Sequence, residues 1–160
     1  MQTKLTAEDA RQSLTAHVAA KGMEVHEKYG PRIGWLEMLR ILEDRAACRY
    51  PCEVRFDSTH LQPGEVAYPA PKGERPEDGY TIFVHPVFEK QLERVPYLVL
   101  YQLVQVNYGE FVSPEDAEIF GAATLGLSKD DYYAELCSLA DELGTCESGD
   151  CQCHASKLPT

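Results

Sequence analysis

Residues 96–108 read PYLVLYQLVQVNY and form an almost continuous apolar stretch. A proline suits the first turn of a helix, and the stretch is longer than a usual strand, although a continuous buried strand is the competing interpretation. We therefore predict a helix that begins at Pro96 and is buried on every side, because its apolar residues surround the helix axis. The stretch is too short to span a membrane, which takes about 20 apolar residues.

Three polar side chains interrupt this apolar stretch, namely Tyr101, Gln102 and Gln105. Residues four apart lie one above the other on a helix, so Tyr101 and Gln105 share one face and Gln102 lies beside them. A polar patch on an otherwise buried helix is the first place where we expect a functional site.

The elements before this helix are predicted from apolar spacing and from turn residues. Two helices are expected first, over 6–28 and from Ile33 to Arg49, with Trp35, Leu39, Leu42 and Ala46 as the core side of the second. His17 and His26 are nine residues apart in the first helix, and we expect both to be solvated. Three strands follow, over 52–56, 65–69 and 80–85.

Two more helices are expected after the central one. Ser113-Pro114 begins a helix that runs to about Leu125, and a second helix runs from Ser128 to Leu143, where Gly144 stops it. Three grouped strands with helices outside them predict an α+β fold, with a small, mainly antiparallel three-stranded sheet and about five helices. We expect residues 1–144 to form one domain and residues 145–160 to form a flexible tail.

The excess of acidic residues indicates which kind of macromolecule the chain binds. The chain has 160 residues, 26 of them acidic and 15 basic, and a net charge of −11. Such a surface repels a phosphate backbone, so we expect a protein partner rather than a nucleic acid. The sequence shows neither a signal peptide nor a long apolar segment, which predicts a cytoplasmic protein that does not enter a membrane.

Residues 81–109, TIFVHPVFEKQLERVPYLVLYQLVQVNYG, resemble a segment of the small zincin metallopeptidases, in particular of SprT-like and minimal gluzincin-like domains. In those families a strand ends in a turn and leads into a helix that carries H-E-x-x-H. Here YQLVQ, from Tyr101 to Gln105, stands where that motif would be. The resemblance also covers the order of elements over about residues 33–125, and it implies a zincin-like fold.

The residues at the motif positions do not supply zinc chemistry. A zincin uses two imidazoles to hold the ion and a carboxylate as general base. Tyr101 and Gln105 replace the histidines, and Gln102 replaces the carboxylate. An amide is a weak zinc ligand and no base near neutral pH, and a phenol is a weak ligand while protonated. The family takes a third ligand from the next helix, where this chain has Glu115, Asp116 and Glu118.

The resemblance therefore implies an inactive relative that serves as a binding or adaptor module. Tyr101, Gln102 and Gln105 would then form a hydrogen-bonded structural cluster. The alternative involves no relationship to zincins: two buried glutamines simply satisfy neighbouring backbone groups.

The end of the chain contains a second candidate site. Residues 146–154 read CESGDCQCH, in which thiols and an imidazole lie close together, a composition typical of sites for zinc, copper(I) or iron–sulfur clusters. The proposed ligands are Cys146, Cys151, Cys153 and His154, with Cys48 and Cys52 as possible additions. This pattern predicts a metal- or redox-linked protein. The alternative is a tail of reduced cysteines that holds no ion.

Overall fold

The computed structural model describes residues 6–143. Within that range the chain forms five α-helices and one three-stranded sheet, which confirms the predicted α+β class. The elements are α1 (Ala7–Tyr29), α2 (Trp35–Glu43), β1 (Cys52–Phe56), β2 (Ala67–Pro71), β3 (Tyr80–Val84), α3 (Val95–Tyr108), α4 (Pro114–Leu125) and α5 (Lys129–Asp141).

The sheet is mixed rather than mainly antiparallel. Its strand order is β1-β3-β2, with β3 in the middle. β2 pairs with β3 in antiparallel register, with Pro69 opposite Ile82. β1 occupies the other edge of β3 and runs parallel to it, with Val54 opposite Ile82. β2 runs from Ala67 to Pro71, two residues later at each end than predicted, and the His85 amide donates to the Val66 carbonyl just before it.

The central helix α3 is confirmed as the most enclosed element of the described chain. It begins one residue before Pro96, and eleven of its fourteen residues are buried. It packs against β2 and β3 on one side and against α4 and α5 on the other. Apolar residues around most of the helix are therefore explained by contacts on both sides, whereas the position of Gln105 is exposed.

The predicted second helix is too long and its core side is shifted. α2 ends at Glu43 because the Asp44 carboxylate accepts from the Ala46 amide at 3.0 Å, a local turn that competes with helix continuation. Leu39 is 37% exposed and Ala46 is exposed. Leu42 is buried and Trp35 packs partly buried against the core, as predicted, and Met38 and Ile41 complete the buried side.

α1 crosses α4 at very short range. At Gly22 an added Cβ would lie 2.8 Å from the Ala123 Cβ, so only glycine allows this approach. His26 is part of the same contact, since its Nδ1 lies 3.0 Å from the Thr124 carbonyl oxygen. The prediction of a solvated His26 is therefore wrong, whereas His17 is exposed.

The helix starts agree closely with the predicted caps. Thr6 and Asp9 form a reciprocal capping box at α1, and Ser113 and Asp116 form another at α4. Ser128 accepts from the Asp131 amide at the start of α5. α5 ends at Asp141, two residues before the predicted end. None of the helices in residues 6–143 is long and apolar enough to cross a membrane.

Candidate functional site

A cleft lies where α3 ends and α4 begins, and two of the predicted site residues line it. Tyr101 and Gln105 project into it from the same face of α3, as expected for residues one turn apart. The cavity has a volume of about 220 Å³. Its remaining lining residues are Gly109, Glu110, Val112, Ser113, Pro114 and Ala117.

The third predicted site residue, Gln102, does not line this cleft. It is 2% exposed, whereas Gln105 is exposed. One residue along a helix is a rotation of about 100°, which turns Gln102 away from Tyr101 and Gln105 into the interior. The interpretation that both glutamines are buried is therefore wrong for Gln105.

Tyr101 keeps its proton over a wide pH range. Burial raises the pKa of its hydroxyl, and the nearby carboxylate of Glu118 raises it further. Burial likewise raises the pKa of Glu118, and the neighbouring Glu115 adds to that shift. The cleft thus presents a neutral phenol, and the partly desolvated Glu118 carboxyl group is close enough to act on it although it does not line the cleft.

The other acidic residues at the start of α4 have structural partners. Glu115 accepts from the Lys129 ammonium group at 2.6 Å. Asp116 is 1% exposed, caps its own helix and accepts from the Thr15 hydroxyl at 2.7 Å. Of the three carboxylates that were considered as a third metal ligand, Glu118 is the one that acts on Tyr101.

No group of three or more His, Cys, Asp or Glu side chains within residues 6–143 is placed to hold a metal ion. The predicted ligands Cys146, Cys151, Cys153 and His154 lie outside the described residues. The tail site therefore stays a prediction.

Cys48 and Cys52 lie together at the start of β1 as free thiols. The Cys48 thiol is buried and lies 3.1 Å from the Tyr50 carbonyl oxygen. A hydrogen bond between the two sulfurs lowers the pKa of Cys48 and raises that of Cys52. Two reduced thiols that lie next to each other are soft ligands of the kind that zinc, copper(I) and iron–sulfur clusters prefer.

A larger concavity on another side of the α3 end was not predicted. This aromatic groove has a volume of about 550 Å³. It is lined by Ala10, Leu14, Arg49, Tyr50, Pro76, Tyr80, Val106, Asn107, Tyr108, Gly109 and Phe111. These residues come from distant parts of the chain, so no local pattern indicates the groove. The one local signal is an apolar residue, Phe111, in a polar turn.

Comparison of the chain with protein-family models, with curated proteins and with solved structures finds no match. The cleft, the thiol pair and the groove are therefore the features of the described chain that bear on its function.

Proposed function

We propose that this chain is a zincin-like domain without a zinc site, and that it acts as a binding or adaptor module rather than as a peptidase. The observation that carries the proposal is the pair Tyr101 and Gln105. In the proposed relationship they stand where the two motif histidines would be, and they line an open cleft between α3 and α4. A cavity thus lies beside the segment that resembles the motif, and the side chains there lack imidazole.

The side chains of the cleft suit a polar ligand. The Gln105 amide both donates and accepts hydrogen bonds, and Tyr101 beside it stays protonated and uncharged. Ser113 adds a hydroxyl group at the rim. A peptide backbone has donors and acceptors that match this set, so we infer a segment of a partner protein as the occupant.

A zinc titration of the purified full chain tests the loss of the metal site. We expect Gln105→Ala to bind the same amount of zinc as the wild type, because a carboxamide contributes nothing to zinc affinity. Any zinc that binds should disappear in Cys151→Ser/Cys153→Ser. Peptidase assays should be negative for both proteins. Stoichiometric zinc that is lost in Gln105→Ala but retained in the tail variant would contradict the proposal.

The second candidate function is a metal- or redox-linked protein that uses Cys146, Cys151, Cys153 and His154. The observation that favours it is the contact between the thiols of Cys48 and Cys52, which brings two further soft ligands together. A site of this kind holds zinc or carries a metal or an iron–sulfur cluster to a partner.

Metal analysis of the wild type and of Cys151→Ser/Cys153→Ser, each purified without added metal, tests this second function. One equivalent of zinc or iron in the wild type and none in the variant is the expected result. Equal metal content in the two proteins would exclude the tail site.

A further inference from the structure

The aromatic groove exposes a large apolar side chain next to three tyrosines. Phe111 is 81% exposed, although it stands beside Tyr50, Tyr80 and Tyr108, which are only partly exposed. The rings of Tyr50 and Tyr80 lie 6.2 Å apart at an angle of 49°. Tilted aromatic rings next to an exposed phenylalanine form a ridged apolar surface, which is a common feature of peptide-binding grooves.

The floor of the groove is held rigidly by Asn107 at the end of α3. Its side-chain oxygen accepts from the Arg49 amide at 2.8 Å, and its side-chain nitrogen donates to the Ala47 carbonyl at 2.8 Å. The Arg49 guanidinium donates to the Asn107 carbonyl at 3.1 Å. These bonds fasten the segment before β1 to α3, so the groove is formed before a ligand arrives. A preformed site avoids the ordering cost of binding.

The charged side chain that lines the groove is a cation. Arg49 is the one charged residue among those that line it, in a chain with a net charge of −11. Its guanidinium also lies 5.6 Å from the centre of the Tyr50 ring. Lys21 and Glu24, which form an ion pair with each other, both act on Tyr108 at the edge of the groove, and Glu77 acts on Tyr80. A ligand with a carboxylate near Arg49 is therefore favoured over one with a basic group.

We propose that the aromatic groove binds an extended, proline-rich peptide segment of a partner protein that carries an acidic side chain. Proline rings of a polyproline II helix stack well on tyrosine and phenylalanine, and that helix loses little entropy on binding. Its carbonyl groups have no internal partners, so the tyrosine hydroxyls can donate to them. Burial raises the pKa of Tyr80 and of Tyr108, which keeps both hydroxyls protonated.

The aromatic groove is a different surface from the cleft at Tyr101. Peptide binding there does not depend on a relationship to zincins. A single lining cation is too little for a nucleic acid, whose binding requires several phosphate contacts. A second copy of this chain could also cover the apolar surface of the groove. The experiment below distinguishes such a dimer from a bound peptide.

Fluorescence anisotropy with the full chain tests the proposal. The probe is a short fluorescein-labelled peptide of prolines and leucines that ends in glutamates. We expect saturable binding that Phe111→Ala weakens by about tenfold or more, because an aromatic anchor at the centre of an interface carries much of the affinity. The matched control is Leu36→Ala, since Leu36 is 68% exposed but lies outside the groove. It should bind as the wild type does.

Changes in the peptide test the same groove without altering the fold. Replacing its prolines by alanines should abolish binding. Replacing its glutamates by glutamines should weaken binding several-fold and remove most of its dependence on salt. The proposal is wrong if the peptide does not bind, or if Phe111→Ala and Leu36→Ala bind it equally. A concentration-dependent dimer that Phe111→Ala dissociates would also contradict it, because the groove would then be a contact between copies.

Discussion

Tyr132 is the residue at which α3, α4 and α5 meet. It is fully buried, and its hydroxyl donates to the Tyr97 carbonyl at 2.6 Å. The two tyrosine rings are stacked, with centres 5.8 Å apart. Gly121 on α4 lies directly against the Tyr132 ring, where an added Cβ would overlap the ring and its hydroxyl. A glycine is required here by the close approach and not by its backbone angles.

Gly121→Ala should therefore destabilise the protein. Overpacking of a filled interior costs about 1–3 kcal/mol, which exceeds the gain in helix propensity from alanine. Urea denaturation of both proteins measures the difference. Gly34→Ala is the control, because the nearest atom to its added Cβ is the Glu37 Oε1 at 3.4 Å, and it should cost about 0.5 kcal/mol. Equal stability of Gly121→Ala and the wild type would disprove the close packing.

At the scale of elements, Asp44 connects the end of α1 to the end of α2. Its carboxylate accepts from the Lys28 ammonium group and from the Tyr29 hydroxyl, each at 2.8 Å. Together with the Ala46 amide, these donors lower the pKa of Asp44 to about 2. The same carboxylate thus ends α2 and joins it to α1.

The stability of this joint should depend on pH. An unfolded aspartate has a pKa of about 3.9, so the folded state binds its proton less readily than the unfolded state does. The stabilisation is complete above about pH 4 and is lost as the pH falls towards 2. We expect the wild type to exceed Asp44→Asn in stability at neutral pH and to lose this advantage in acid.

Urea titrations at neutral pH and near pH 3 provide the test. Asp130→Asn, at an exposed position in the first turn of α5, is the control and should stay close to the wild type at both values. The contrary result is that the wild type and Asp44→Asn differ in their free energy of unfolding by the same amount at both pH values. In that case these contacts do not stabilise the ionised form of Asp44.

At the scale of the whole molecule, local patterns predicted the elements better than their pairing. Caps such as Ser113 with Asp116 were predictable because the residues that interact are three apart. The parallel pairing of β1 with β3 was not, because it depends on contacts between segments 28 residues apart. The early end of α2 was also missed, since it results partly from Lys28 and Tyr29 on another helix.

For the candidate site too, the sequence predicted the local arrangement of the residues but not their exposure. Helix periodicity placed Tyr101 and Gln105 on one face, and the structure has both at one cleft. The different exposure of Gln102 and Gln105 depends on where α4 lies, and a single helix does not reveal this. The aromatic groove combines residues from five segments, so only the folded chain brings Arg49 next to Phe111.

We propose that the α3 face at Tyr101 and Gln105 retains the geometry of a zinc site without its ligands. Two histidines placed there, with Glu118 close by, should restore a metal site because three protein ligands can then converge. The control pair is Glu8→His/Gln12→His on α1, where the two side chains are adjacent, 3.2 Å apart, but exposed.

The most direct measurement is the absorption of Co²⁺ bound to Tyr101→His/Gln105→His, with Cys146→Ser/Cys151→Ser/Cys153→Ser in every protein to remove the three tail thiols. We predict one equivalent of cobalt, held about tenfold or more tightly than by the control pair, and weakened by Glu118→Gln. Circular dichroism checks that the variant is folded. If the folded variant binds cobalt no better than the control pair, the α3 face does not have the geometry of a zinc site.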